Sequence, residues 1–218
     1  MNKKNIAVVG ANGKMGKLTC KILNNKYKVT EITLENSLLD FNDIDLVIDF
    51  ASANSSIKSA KYCYEKNIPI LIASTGQTQK QLKKLYEYSK KIPMMICSNL
   101  SIGIAKIKKI LENFDFPEKS NVTIIEKHHI DKKDSPSGTA LNLKRFLEKK
   151  LNKNIEILSE RGGKEIGTHT IDIYFNDELI SITHKAFSRN CFAEGAMLST
   201  DFLINQTKPG LFDFEKIL

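Results

Sequence analysis

Four short apolar runs, Ile6–Val9, Asp45–Phe50, Ile68–Ala73 and Pro93–Cys97, alternate with stretches of helical period, and this alternation most narrows the folds open to the chain. Apolar runs of that length, without strict polar alternation, suit strands buried on both faces of a parallel sheet. Between them, Met15, Leu18, Ile22 and Leu23 mark one helix face, a second helix is expected from about Ser55 to Lys66, and Thr78 with Gln81 makes a capping box for a third that ends near Lys90. A further strand is expected over Lys28–Leu34. The predicted class is α/β, a Rossmann-like doubly wound parallel sheet.

After Asn99 the rhythm changes. A helix over Ile104–Asn113, a strand over Val122–Lys127, a helix over Pro136–Leu151 and a hairpin of Thr168–Phe175 with Leu179–Ala186 about Asn176-Asp177 describe a smaller α+β domain. Ala193–Asn205 and the tail are expected to return to the first domain, which places the boundaries at 1–101 plus 190–218 and at 102–189.

The chain has 218 residues, 41% hydrophobic and 27% charged, and a formal charge of +8. Its Lys-Lys pairs are scattered over expected helix faces, which argues for a solvated surface and against a nucleic-acid groove. No apolar stretch approaches the ~20 residues a membrane span needs, and Met1–Asn5 leads straight into a strand without a secretory core. A cytoplasmic protein is expected, with no membrane partner. Cysteines 20, 63, 97 and 191 match neither zinc spacing nor a disulfide framework, so no metal is expected.

Gly10-Ala11-Asn12-Gly13-Lys14-Met15-Gly16 falls between the first strand and the first helix, where dinucleotide folds bring backbone against a pyrophosphate. Its G-x-x-G-x-x-G spacing differs from the commoner G-x-G-x-x-G, so position carries the reading. Glu35 lies 19 residues beyond Gly16, near the ~20-residue offset of a ribose-binding acid. With Asn36 beside it and no arginine for a 2′-phosphate, NADH is favoured over NADPH. Ala73-Ser74-Thr75 and Cys97-Ser98-Asn99-Leu100 each follow an expected strand and can orient a nicotinamide.

Residues 126–140, Glu-Lys-His-His-Ile-Asp-Lys-Lys-Asp-Ser-Pro-Ser-Gly-Thr-Ala, carry the chemistry. His128 and His129 can change charge near neutral pH and Lys132 can donate a proton. Ser135 as cap and Pro136 at the first helical position would start a helix whose Gly138 and Thr139 amides hold an anion.

Together these pieces resemble the dihydrodipicolinate reductase family over nearly the whole chain. The resemblance rests on Val9–Gly16, Asp49-Phe50, Ser74-Thr75-Gly76, Glu126–Ala140, Ile182–Ala186, Ser188-Arg189 and Gly210–Asp213, of which Glu126–Ala140 is the specific one. It implies hydride transfer from NADH or NADPH to a small cyclic dicarboxylate, 4-hydroxy-tetrahydrodipicolinate, on the diaminopimelate route to lysine. By resemblance His128 is proton donor or acceptor and Lys132 proton donor, while His129, Gly138 and Thr139 bind substrate and Arg189 joins the cofactor residues. Such enzymes are commonly homotetramers joined through the substrate-domain sheet, which makes the hairpin at 168–186 the expected interface; domain closure is expected as well. The chain departs from the family in being trimmed between residues 34 and 45 and in the substrate domain, and in placing Ser135 where alanine is usual. Two other readings fit parts of the chain: an NAD-linked amino-acid or sugar dehydrogenase would share the glycine loop, and a nucleotide-sensing module would bind NADH without turnover.

Overall fold

The computed structural model describes residues 3–218; Met1 and Asn2, the first residues of the expected leaderless start, lie outside the described residues. The chain divides into two compact units, one running to Ser101 and taking in Asn190–Leu218, the other Ile102–Arg189.

The first unit is built on six parallel strands: β1 (Asn5–Val9), β2 (Lys28–Ile32), β3 (Leu46–Asp49), β4 (Ile70–Ile72), β5 (Pro93–Ile96) and β10 (Gly210–Phe212). Their order across the sheet is β10-β5-β4-β3-β1-β2. Both faces are apolar because successive strand residues point opposite ways. Ala7, Val9, Val47, Ile70, Ile72 and Met94 pack with Ala60 and Cys63 of α2 (Ala53–Lys66) and Leu85 of α3 (Gln79–Ser89). Ile6, Val8, Ile48 and Leu71 are equally buried on the other side, and α1 (Lys14–Leu23) packs there with α6 (Asn190–Leu203). The expected doubly wound sheet is thus present. Thr78 caps α3 as predicted, accepting from the Gln81 amide at 3.3 Å while the Gln81 side chain takes the Thr78 amide at 2.8 Å.

Strand order reverses at β1, which has β2 on one side and β3 on the other, so the carboxyl ends of β1 and β3 form the switch point at which such sheets bind ligands. Two details differ from expectation. Strand β2 stops at Ile32, two residues early, leaving Leu34 fully exposed. The three-residue β10 joins the edge beside β5, too short to carry a recognisable period.

The second unit carries a mixed sheet in the order β7-β6-β8-β9, from β6 (Asn121–His128), β7 (Glu156–Arg161), β8 (Gly167–Phe175) and β9 (Glu178–Ala186). Strand β7 escaped prediction because it lies at an edge and only Ile157 and Leu158 of its six residues are apolar, pointing to opposite faces. One sheet face is covered by α4 (Ile102–Asn113) and α5 (Gly138–Leu151): Val122, Ile124, Ile171 and Ile173 pack with Ile104, Leu111, Leu143 and Leu147.

Candidate active site

In the first unit every strand is parallel, so the loops after β1, β2, β3, β4 and β5 emerge at one edge. Gly10 turns there with φ +81°, and a Cβ on it would meet the Ala51 backbone at 3.1 Å. Gly16 is tighter: its Cβ would lie 2.2 Å from the Gly10 carbonyl oxygen, so only glycine lets α1 approach the turn.

The Gly10 and Ala11 amides both donate to the Ile32 carbonyl, at 3.0 and 3.2 Å, and the Gly13 amide donates to Gly10. Those three amides are therefore already committed, which leaves the first turn of α1 as the candidate for holding an anion. Gly13 is its N-cap and supplies no side-chain cap, so the amides of Lys14, Met15 and Gly16 have no acceptor in the helix. Asn12, Gly13 and Lys14 are exposed, whereas Ala11 and Leu100 are buried and can offer a ligand only backbone.

Buried Asp49, at the end of β3, ties this edge together. Its carboxylate accepts from the Ala51 amide at 3.0 Å and from the hydroxyls of Ser55 and Ser59 at 2.8 and 2.6 Å, while its carbonyl accepts from the Ala73 and Ser74 amides. Burial raises its pKa against the pull of these donors. Thr75 and Ser98 are exposed and Cys97 and Asn99 half-buried; the Cys97 thiol donates to the Asn99 carbonyl at 3.1 Å. Glu35 is exposed beyond β2, its amide on the Thr33 hydroxyl at 3.2 Å. Arg189 stands in the turn before α6, the last residue of the second unit.

In the second unit, strand register creates a polar row where the apolar core ends. Along the helix-covered face β6 reads Val122, Ile124, Glu126, His128, and antiparallel β8 reads Ile173, Ile171, His169, Gly167. Glu126 is paired with Ser159 of β7 and His169 of β8, and His169 with His184 of β9. Arg161 lies opposite His128 in the next row.

Glu126 has no exposed surface. One carboxylate oxygen bonds His128 Nδ1; the other accepts from Arg161 at 2.6 Å and from the Ser137 amide at 3.2 Å. Burial works to raise its pKa, but the bonds from Arg161 and His128 outweigh it and hold the carboxyl below its usual range. Burial lowers the pKa of His128 despite the attraction of Glu126. His169, buried and beside His128, is pushed down to about 3; as a neutral ring it can accept the Ser137 hydroxyl at Nε2, 3.2 Å away.

The helix start differs from expectation. Ser137, not Ser135, caps α5, its hydroxyl accepting from the Ala140 amide at 3.2 Å; Pro136 lies before the helix and Gly138 is its first residue. Ser137 is held from three sides, its hydroxyl by His169 and the Ala140 amide and its own amide by Glu126, whereas Ser135 is exposed. Gly138 and Thr139 still occupy the first turn, exposed and half-buried. Lys132 pairs with both oxygens of Asp134, at 2.7 and 2.9 Å. Burial works to raise the Asp134 pKa, but Lys132 and the Gly138 amide more than offset it. His129 is half-buried, its amide on the Glu165 carbonyl at 2.7 Å.

Glu126, Asp134, Ser137, Arg161 and His169 were not singled out as site residues by sequence. Their signal was visible in part: polar residues break the inward alternation of Ile124-x-Glu126 and of His169-x-Ile171. Ligand-type atoms of Glu126, His128 and His169 come within 4.8 Å of one another, but Arg161 and the His128 hydrogen bond already claim the carboxylate, an arrangement suited to a hydrogen-bonded network and not to a cation.

The family model for the N-terminal part of dihydrodipicolinate reductase matches residues 4–100, and that for the C-terminal part matches residues 101–218. The chain is 36% identical, over 270 aligned positions covering 100% of it and 97% of the relative, to 4-hydroxy-tetrahydrodipicolinate reductase of Buchnera aphidicola subsp. Cinara cedri. It is 33% identical to the enzyme of that name from Bdellovibrio bacteriovorus, again over 100% of this chain and 97% of the relative. Among solved structures, dipicolinate-bound dihydrodipicolinate reductase from Paenisporosarcina sp. TG-14 shares the fold with a TM-score of 0.82, at 22% identity and with both chains fully covered.

Proposed function

The chain belongs to the dihydrodipicolinate reductase family, and we propose how its two units divide the family's reaction. That reaction is the NAD(P)H-dependent reduction of 4-hydroxy-tetrahydrodipicolinate to tetrahydrodipicolinate and water, on the diaminopimelate route to lysine. The first unit binds the dinucleotide. Amides at the first turn of α1, over Lys14–Gly16, take the diphosphate; Glu35 accepts ribose hydroxyls; Ala73, Ser74, Thr75 and Cys97–Leu100 line the nicotinamide. Arg189, outside this unit, is assigned to the cofactor by resemblance to the family alone. The uncapped helix start and the glycine-only approach at Gly16 fit such a group. With Asn36 beside Glu35 and no arginine, NADH is the preferred donor. When bound, the reduced nicotinamide supplies the hydride.

The second unit binds the cyclic dicarboxylate and manages the proton. A substrate carboxylate takes over from Asp134 the ammonium of Lys132 and the Gly138 amide, with Thr139 and His129 completing its contacts. Lys132 then stabilises developing charge and donates the proton, and His128 serves as the second proton donor or acceptor. The second unit also carries the contact that makes a homotetramer, through the outward face of its sheet.

The observation that carries this reading is the grouping of a buried, carboxylate-held His128, Lys132 and the first turn of α5 within one short segment. Coupling the purified protein to a dihydrodipicolinate synthase reaction tests it. Substrate-dependent oxidation is expected with both cofactors, faster with NADH, and Lys132→Ala should lower kcat by about 10²-fold or more while leaving the KM for NADH nearly unchanged. Unchanged turnover of Lys132→Ala would remove Lys132 from its role; faster turnover with NADPH would reverse the cofactor preference.

A further inference from the structure

We infer that Glu126 is the positioning residue of this site: it selects Nε2 of His128 as the nitrogen that exchanges a proton with substrate, and it fixes the substrate-binding start of α5 to that same imidazole. The inference rests on the reading of His128 as a proton-transfer group and deepens it.

The two carboxylate oxygens of Glu126 do different work. Oε2 bonds His128 Nδ1, and since an ionised carboxylate can only accept, Nδ1 must carry a proton there. In the neutral ring Nε2 is then the free acceptor, and in the imidazolium it is the donor not already committed. Oε1 accepts from the Ser137 amide, the residue immediately before Gly138 and Thr139. One rigid, fully buried side chain therefore sets the distance between the proton-transfer group and the anion-binding amides. Arg161, on Oε1 at 2.6 Å, keeps the carboxylate ionised, and His169 holds the Ser137 hydroxyl from the opposite side.

Room for His128 comes from Gly167. A Cβ there would stand 3.0 Å from His128 Nε2 and 3.3 Å from Cδ2, so any larger residue pushes against the working edge of the ring. The charged and titratable groups facing His128 are Glu126 on its own strand, Arg161 on β7, His169 on β8 and Lys132 in the following loop. Among these Glu126 alone draws a proton toward the ring; Lys132 and Arg161 oppose it. The logic is that of a carboxylate that orients a catalytic histidine without itself becoming protonated.

The tautomer can be read directly. In 15N-imidazole NMR spectra of the intact protein above the His128 pKa, the Nδ1–H form is expected. Glu126→Gln should lower kcat by roughly 10²-fold or more, raise the KM for the dicarboxylate but not for NADH, and move the His128 limb of the pH–rate profile to lower pH. Glu126→Asp, which keeps the charge but withdraws it by one methylene, should not restore kcat. Should the Glu126 variants fail to fold, Gly167→Ala supplies the second arm, with lowered kcat at unchanged KM for NADH.

An Nε2–H tautomer in the unmodified protein would overturn the positioning role while His128→Gln remained inactive. So would a Glu126→Gln variant with unaltered pH profile and dicarboxylate KM. Full turnover by His128→Gln would instead remove the proton-transfer reading and the inference with it.

Discussion

Gly16 shows how one atom can decide a site. The three nearest contacts for an added Cβ are all backbone, at 2.2 Å to Gly10 O, 2.7 Å to Ala11 Cα and 2.9 Å to Ala11 C, so a side-chain shift cannot relieve them. Gly16→Ala is expected to cost about 1–3 kcal/mol by overpacking, and to weaken NADH binding because the turn and the α1 amides shift together. Gly162→Ala, which would meet nothing within 4 Å, is the control and should leave both unchanged. Denaturant titration and NADH fluorescence measure the two effects; equal behaviour of the variants would remove the steric argument. The glycine loop was legible because its spacing and place after a strand are local. That the Gly10 and Ala11 amides are already spent on Ile32 was not, since the acceptor lies on a different strand.

At the scale of the element, the second sheet separates two roles by the period of its strands. The inward face passes from isoleucine to the Glu126 row, while the outward face carries Leu158, Tyr174 and Leu179, each between 44% and 50% exposed. Tyr174 and Leu179 are direct cross-strand partners, so they form one apolar step on the face proposed for the tetramer. Replacing Leu179 with Glu should dissociate the assembly in light scattering while leaving the helix-covered core intact; an unchanged mass would place the contact elsewhere. The hairpin itself was readable from alternation about Asn176-Asp177, and Asn176 adopts the turn with φ 49°. The start of α5 was misplaced because Ser135-Pro136 and Ser137-Gly138 both fit local capping rules. What favours Ser137 is burial and the pull of Glu126 and His169, neither of which is a neighbour in sequence.

For the whole molecule, the buried histidines make stability depend on pH in a definite direction. His169 titrates near 6.5 when unfolded and at about 3 when folded, so below pH 6.5 the unfolded chain binds the extra proton. Its contribution is fully present above that value and is lost as pH falls, by about 1.4 kcal/mol per unit down to about 3. His128 and His184, also lowered by burial, act in the same sense, and Glu126 adds to the loss at more acid pH. Urea denaturation at pH 7.5 and 5.5 should show a clear loss of stability at the lower pH, reduced in His169→Gln; a flat profile would contradict neutral burial of the ring. Among the described residues no helix is long and apolar enough to cross a membrane.

Sequence by itself determined the parallel sheet, the glycine loop and the segment from Glu126 to Thr139, because strand and helix periods, turn chemistry and caps act over a few residues. Tertiary structure decided which polar groups meet. Glu126, Ser159, His169 and His184 come from four strands spread over 59 residues of chain and share one row only because the register of β6–β9 aligns them. Register depends on burying every strand's apolar face at once, a condition the whole sheet satisfies and no single segment reveals.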